Sequence, residues 1–250
     1  MSEQELSGKT AIVTGAGRNI GRAIALTLAD SGAAVAVVVR ANKNEADAVV
    51  KEIAGKGGKA AAFLADISDA KAVQAMADAV LKQFGRIDIL VNNAAIRREK
   101  DIADMSYTEW REVMDVTLDG AFHCVKACLP ALKKNGGSIV NIGGMSAHIG
   151  SAHRAHVTAA KLGLVGFTRG LAHDLAADKI TVNCVVPGAI DTPRATSAAK
   201  PAHHLTHGTI SGERGRPDDV AAMVRFVCGP SARYITGQAL HVSGGAYLGG

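Results

Sequence analysis

The sequence predicts an α/β fold: a doubly wound, seven-stranded parallel sheet with helices on both faces. Short runs of β-branched and aliphatic residues alternate with segments in which apolar residues recur three and four positions apart. Helix-start signals separate several of these runs. The predicted strands are Thr10–Thr14, Val35–Val39, Ala60–Ala65, Ile87–Val91, Ser138–Ile142, Thr181–Val186 and Ala239–Val242.

Two helix starts are marked by specific residues. Ser106 and Glu109 have the spacing of a capping box, which predicts the start of a long helix running towards Leu132. Pro217 is followed by two aspartates, and a proline at the first helical position with acids in the first turn is typical of a helix N-terminus.

Composition favours one domain with a large aliphatic core. The chain has 250 residues, of which 48% are hydrophobic and only 4% aromatic, and no linker-like stretch divides it. The polar N-terminus is unlike a signal peptide, and no apolar run approaches the roughly 20 residues needed to span a bilayer. We therefore expect a cytoplasmic protein that does not bind a membrane. The four cysteines include no Cys-x-x-Cys pair and are expected to be buried thiols.

The net charge of +5 comes from basic residues dispersed among acids. No basic tract with interleaved aromatic residues is present, which disfavours nucleic-acid binding. An anionic cofactor or substrate explains the excess positive charge better.

A glycine-rich turn follows the first predicted strand and leads into the first helix. Small residues let a ligand approach the backbone, and the unpaired N–H groups of a helix N-terminus face a phosphate, so this position favours a pyrophosphate site. Asn19 stands where another glycine would be typical, and asparagine tolerates left-handed backbone angles well. The candidate binding residues in this turn are Gly15, Arg18, Asn19, Ile20 and Gly21.

Further motifs follow in a fixed order along almost the whole chain. They are residues 92–95 (Asn-Asn-Ala-Ala), 157–163 (Val-Thr-Ala-Ala-Lys-Leu-Gly), 187–192 (Pro-Gly-Ala-Ile-Asp-Thr), 234–238 and 242–245. Together with the glycine-rich turn they resemble the short-chain dehydrogenase/reductase family, in particular its 3-oxoacyl-carrier-protein-reductase-like members. The resemblance implies one NAD(P)-binding Rossmann domain over residues 1–250, a small-molecule substrate and a homotetramer. It also implies cofactor contacts from Asp66, Ile67, Asn92, Ala94, Lys161, Pro187, Gly188, Ile190 and Thr192.

The end of the second strand predicts which nicotinamide cofactor is used. An acid at this point bonds the ribose hydroxyls of NAD, whereas here Val39 is followed by Arg40. A guanidinium suits the 2′-phosphate of NADP, and Arg18 is available to join it. We therefore expect NADP(H) rather than NAD(H).

The catalytic positions of the family are mostly replaced. Alignment of the motifs puts Thr117 where the family has asparagine, Gly144 where it has serine and Val157 where it has tyrosine, and only Lys161 is retained. Gly144 and Val157 are thirteen residues apart, the usual separation in the family, which supports the alignment. Valine and glycine cannot polarise a carbonyl or donate a proton.

Nearby groups are candidates for the missing proton donor. His156 and His153 lie just before position 157, and histidine titrates near neutral pH, so both are predicted catalytic residues beside Lys161. The residues predicted to border the substrate pocket are Arg97, Gly144, Ser146, Val157 and His203. The arginines and histidines of this region favour a polar or anionic substrate, and no spacing supports a metal site.

Three functions remain open at this point. The first is an atypical NADP(H)-dependent oxidoreductase acting on a polar or anionic carbonyl compound without the Ser/Tyr pair. The second is a non-catalytic NADP(H)-binding protein. The third is a non-redox, lyase-type enzyme that uses the histidines.

Overall fold

A computed structural model describes residues 4–192 and 208–249, and it contains one seven-stranded sheet in which every pairing is parallel. The strand order is β3-β2-β1-β4-β5-β6-β7, and the predicted α/β fold is confirmed. The strands are β1 (Thr10–Thr14), β2 (Ala34–Val39), β3 (Ala60–Leu64), β4 (Ile89–Asn92), β5 (Gly137–Ile142), β6 (Ile180–Pro187) and β7 (Ala239–Val242).

Helices cover both faces of the sheet. The helices are α1 (Asn19–Asp30), α2 (Lys43–Gly55), α3 (Ala70–Phe84), α4 (Tyr107–Met114), α5 (Gly120–Asn135), α6 (Ser146–Ile149), α7 (Ala155–Asp174) and α8 (Pro217–Cys228). One hydrophobic core contains buried residues of α1, α2 and α8, and a second contains buried residues of α3 and α5 with the end of α7. Within the described ranges, no helix is both long and apolar enough to cross a bilayer.

Successive strand residues pack into opposite cores, which explains why the strands are apolar throughout. In β1, Val13 belongs to the first core and Ile12 to the second, and all five residues of the strand are buried. A parallel sheet with helices on both faces buries both sides of its strands. This burial produces the continuous aliphatic runs seen in the sequence.

The strand order places a crevice between β1 and β4. The chain moves outwards from β1 to β3 in one direction and from β4 to β7 in the other, so the topology reverses at this point. Ligands of open α/β sheets bind at the carboxyl ends of the strands beside such a reversal. The glycine-rich turn follows β1 and therefore lies at this crevice.

The two predicted helix starts are present, but the helix after Ser106 is not continuous. Ser106 and Glu109 form a complete capping box, and Pro217 occupies the first turn of α8. Between α4 and α5 the chain forms a π-helical turn over Asp115–Asp119, and α5 ends at Asn135. Arg111 forms ion pairs with both Asp115 and Asp119 across this turn. Single π-helical turns occur as insertions within α-helices, frequently at functional sites.

Candidate functional site

A cavity of about 640 Å³, called the larger cavity, lies at the carboxyl ends of the strands around the crevice. Most residues predicted to bind the cofactor line it. They are Gly15, Arg18, Asn19, Ile20, Gly21, Arg40, Asp66, Ile67, Ala94, Lys161 and Thr192. These residues come from separate loops, and the parallel sheet brings the loops together.

The glycine-rich turn leaves no room for a side chain at Gly15 or Gly21. Gly15 has a φ of +64°, and a Cβ on Gly21 would lie 2.2 Å from the carbonyl oxygen of Gly15. Asn19 adopts a φ of +51°, the left-handed conformation that its residue type tolerates. The turn therefore exposes backbone at the start of α1, an arrangement that fits a pyrophosphate.

Asn93 holds the turn against the end of β4. Its Nδ2 donates hydrogen bonds to the carbonyl oxygens of Thr14 and Gly15, at 2.8 and 3.2 Å. The hydroxyl of Thr14 accepts hydrogen bonds from the backbone N–H groups of Asn93 and Ala94. Asn93 lines the larger cavity, whereas the predicted Asn92 lines neither cavity described here. Asn92 is buried in the sheet and donates to Asn141, because successive strand residues face opposite sides.

Charged side chains of both signs meet at the end of β2. Arg18 and Arg40 line the larger cavity there, as the sequence predicted, but Glu45 of α2 lines it as well. Hydrogen bonds from Ser68 lower the pKa of Asp66, and the positive charge of Arg40 contributes. Two arginines at this point fit a phosphate, and Glu45 partly offsets their charge.

A second cavity of about 90 Å³, called the smaller cavity, adjoins the larger one. The two cavities share four lining residues: Ile20, Arg97, Lys161 and Thr192. Predicted residues that line the smaller cavity are Arg97, Gly144, Ser146, Val157, Lys161, Pro187, Gly188, Ile190 and Thr192. Arg154 also lines it, and its side chain is only 11% exposed.

Lys161 lies at the junction of the two cavities. It is 5% exposed, and its Nζ donates a hydrogen bond to the carbonyl oxygen of Ile142 at the end of β5. Burial lowers the pKa of Lys161 to about 7, and the positive charge of Arg97 adds to this effect. The nearby thiol of Cys184 acts in the opposite direction. Lys161 is therefore able to exchange a proton near neutral pH.

The replaced positions leave space beside Lys161. A Cβ on Gly144 would have Lys161 Cγ as its nearest neighbour, at 3.8 Å, with Ser146 Oγ at 4.0 Å. Val157 lies one helical turn before Lys161 and packs with Val113 and Ala160. Thr117 lies in the π-helical turn, where its buried hydroxyl has no hydrogen-bond partner in the structure.

The structure does not bring the two predicted catalytic histidines to Lys161. His153 lies on the surface, with its Nδ1 3.1 Å from a carboxylate oxygen of Asp101. His156 is fully buried in α7, and neither ring nitrogen has a hydrogen-bond partner. Neither residue lines either cavity. His153 precedes α7, whereas His156 lies on α7, where each helical step rotates the side chain by about 100°. The predicted pocket residue His203 lies outside the described residues.

We expect His156→Leu to stabilise the protein by about 1 kcal/mol at pH 7, because a buried polar group without a partner is costly. Burial lowers the pKa of His156, and Arg154 and Arg98 add to this effect. The unfolded chain therefore takes up a proton first, and wild-type stability falls as the pH drops below about 6.5. The variant's advantage should grow between pH 7 and pH 5.

Thermal melts at several pH values test this expectation, and about 1 kcal/mol corresponds to roughly 2–4 °C in a protein of this size. His173→Gln is the matched control, because His173 lies on the same helix but is exposed. Equal melting temperatures and equal pH slopes for wild type and His156→Leu would contradict the predicted cost of burial.

In the part of the chain that the structure describes, no cluster of three or more His, Cys, Asp or Glu side chains is arranged to hold a metal ion.

Comparison with known proteins agrees with this architecture. The family model described as "Enoyl-(Acyl carrier protein) reductase" matches residues 15–247. The 3-oxoacyl-(acyl-carrier-protein) reductase FabG of Staphylococcus aureus is 41% identical over 243 residues, which cover 96% of this chain and 98% of the relative.

Solved structures of other proteins share the same three-dimensional fold. A dehydrogenase/reductase from Sinorhizobium meliloti matches with a TM-score of 0.93 and 36% identity, covering 99% of this chain and 98% of its own. A short-chain dehydrogenase from Burkholderia cenocepacia, solved in complex with NADP, matches with a TM-score of 0.91 and 39% identity. The match covers 97% of this chain and 99% of the Burkholderia chain. The chain belongs to the short-chain dehydrogenase/reductase family.

Proposed function

We propose that this protein is an NADP(H)-dependent oxidoreductase that acts on a polar or anionic carbonyl compound without the family's Ser/Tyr pair. One observation carries the proposal: a cavity suited to a dinucleotide meets a smaller, cation-lined cavity at Lys161. The cofactor, when bound, supplies the hydride. Lys161 and the loops around it orient the reactants and exclude water from the junction.

The charges at the end of β2 support NADP(H) as the cofactor. Arg18 and Arg40 both line the larger cavity there, and guanidinium groups bind phosphate through paired hydrogen bonds. The relatives agree, because the Burkholderia cenocepacia structure contains NADP and a similar blue fluorescent protein contains NADPH.

We expect NADPH to bind more tightly than NADH, and Arg40→Ala to weaken NADPH binding by about 10–100-fold, since a hydrogen bond to a charged group is worth about 1.5–3 kcal/mol. NADH binding should change little. Glu45→Gln is the matched control of opposite sign and should strengthen NADPH binding. Titration calorimetry with both nucleotides measures the effect, and equal affinity of the wild type for the two would refute the assignment.

The smaller cavity favours a substrate with negative charge or strong polarity. Arg97 and Arg154 both line it, and neither Asp nor Glu does so among the described residues. A carboxylate placed there would gain charge-assisted hydrogen bonds in a partly dry site. A keto acid fits this lining better than an alkyl ketone.

The function is tested by following NADPH absorbance with a panel of keto acids, ketones and imines. Oxidation of NADPH that depends on a keto acid supports an oxidoreductase. The second candidate function is a non-catalytic NADPH-binding protein, and the absence of the Ser/Tyr pair favours it. Tight NADPH binding without turnover of any compound would indicate this function. Histidine-based lyase chemistry has no support at Lys161, because none of the described histidines lines either of the two cavities that meet there.

We further infer that residues 1–250 act as one unit and assemble as a homotetramer. Support comes from α5 and α7, which the family resemblance pairs across a two-fold axis. Phe122 on α5 and Leu162 on α7 are both 48% exposed. Gly166 and Gly170 of α7 have open space beside them, which permits close approach of a helix.

A further inference from the structure

The smaller cavity contains few groups that are able to carry a proton. Among its described lining residues, only Arg97, Arg154 and Lys161 are ionisable. Arginine keeps its proton at all ordinary pH values, so the two arginines provide charge but no proton exchange. Lys161 is therefore the one described lining group that is able to give up and regain a proton near neutral pH.

The replaced side chains bring this lysine into direct contact with the cavity. Val157 precedes Lys161 by four residues on α7, so both side chains face the same side of the helix, and both line the cavity. Gly144 lacks a side chain beside the Lys161 methylenes. A hydroxyl from position 144 or 157 thus does not intervene between the lysine and a ligand.

We propose that Lys161 is itself the proton donor of this enzyme, giving a proton from Nζ directly to the oxygen of the substrate carbonyl. The inference rests on the proposed function. The carbonyl carbon accepts the hydride supplied by the reduced nicotinamide cofactor, the C=O π bond breaks and an O–H bond forms. The products are an alcohol, the oxidised cofactor and a neutral amine on Lys161, which regains its proton from solvent.

The surroundings of Lys161 suit this role. An ammonium group has three N–H donors, and only the bond to the carbonyl of Ile142 occupies one of them among the contacts described. The charged or titratable groups facing Lys161 are Arg97, which follows β4, and Cys184 on β6. With its pKa lowered to about 7, Lys161 is present at neutral pH both as the protonated ammonium and as the neutral amine. A pKa near the working pH is the best condition for general acid–base catalysis.

The test compares Lys161→Arg with wild type, because arginine keeps the positive charge but cannot transfer the proton. We expect Lys161→Arg to lower kcat for keto-acid reduction, measured at saturating NADPH, by about 10²–10⁴. Lys161→Met should lose turnover as well, because methionine has no proton to transfer. It replaces Lys161→Arg in the test if the arginine variant does not fold. Lys82→Arg, on the exposed face of α3, is the matched control and should behave as wild type.

A second readout does not depend on turnover. Carbon-13 NMR of protein labelled at the lysine Cε should show one resonance, absent in Lys161→Arg, that titrates near pH 7. The pH profile of kcat should break at the same pH. Turnover by Lys161→Arg at the wild-type rate, or titration of this resonance above pH 9, overturns the inference and leaves the proposed function standing. A wild type that binds NADPH but reduces nothing overturns both.

Discussion

Replacing Gly144 by serine and Val157 by tyrosine together should raise NADPH-dependent reduction of simple ketones by about 10-fold or more, which is part of the 10²–10⁴ that a general acid contributes, because Lys161 already supplies one proton donor. The double variant supplies a hydroxyl that polarises the carbonyl and a phenol that protonates it. Lys161 is already in place beside both positions. Under the proposed function, Arg97 and Arg154 bind a negative charge that a simple ketone lacks, so the wild type should reduce it slowly.

The structure accommodates both substitutions. A Cβ added at position 144 meets only Lys161 Cγ and Ser146 Oγ, both at ordinary van der Waals distance. Val157 is 4% exposed but lines the smaller cavity, so a larger ring has a direction in which to extend.

The matched control is Gly144→Ser with Val157→Phe, which adds the ring without the hydroxyl. Steady-state rates with NADPH and cyclohexanone or a similar ketone measure the gain. If the phenylalanine control gains as much as the tyrosine variant, the effect comes from packing rather than from proton transfer. A wild type that already reduces simple ketones rapidly would show that the account of this site is wrong.

The sequence predicts the fold well because local patterns determine it. The predicted bounds of all seven strands lie within two residues of the observed ones. The central strands are apolar throughout because both of their faces are buried, whereas the edge strands β3 and β7 are only partly buried. The start of β4 shows the limit of this method. Ile87 is buried but precedes the ladder, which begins at Ile89, and burial alone does not distinguish the two positions.

The site was predictable where one motif lies on one loop, as in the glycine-rich turn. It was less predictable where function depends on which residues meet in space. Asn93 and Glu45 line the larger cavity because of helix and strand directions that the motifs do not encode. His153 and His156 are neighbours of Val157 in sequence, but His153 lies in the turn before α7, and helix geometry directs His156 away from both cavities.

Substituting Gly21 by alanine should weaken NADPH binding by about 5–150-fold, which corresponds to the 1–3 kcal/mol that overpacking costs. The added Cβ would lie 2.2 Å from the carbonyl oxygen of Gly15 and 2.5 Å from Nδ2 of Asn93. Both atoms belong to the hydrogen-bonded contact that joins the turn to the end of β4. The alanine therefore separates the turn from Asn93 and displaces the backbone that faces the phosphates.

Titration calorimetry gives the affinity, and a thermal melt separates lost binding from lost folding. We expect the melting temperature to fall by about 2–10 °C, so the variant remains folded at 20 °C for the binding measurement. Gly55→Ala is the matched control, because Gly55 ends α2 with nothing within 4 Å of an added Cβ, and NADPH should bind it as it binds wild type. A folded Gly21→Ala variant that binds NADPH within threefold of wild type would show that the glycine-rich turn does not contact the pyrophosphate. In that case the cofactor would have to be held by the rest of the larger cavity, and the proposed role of the turn would be wrong.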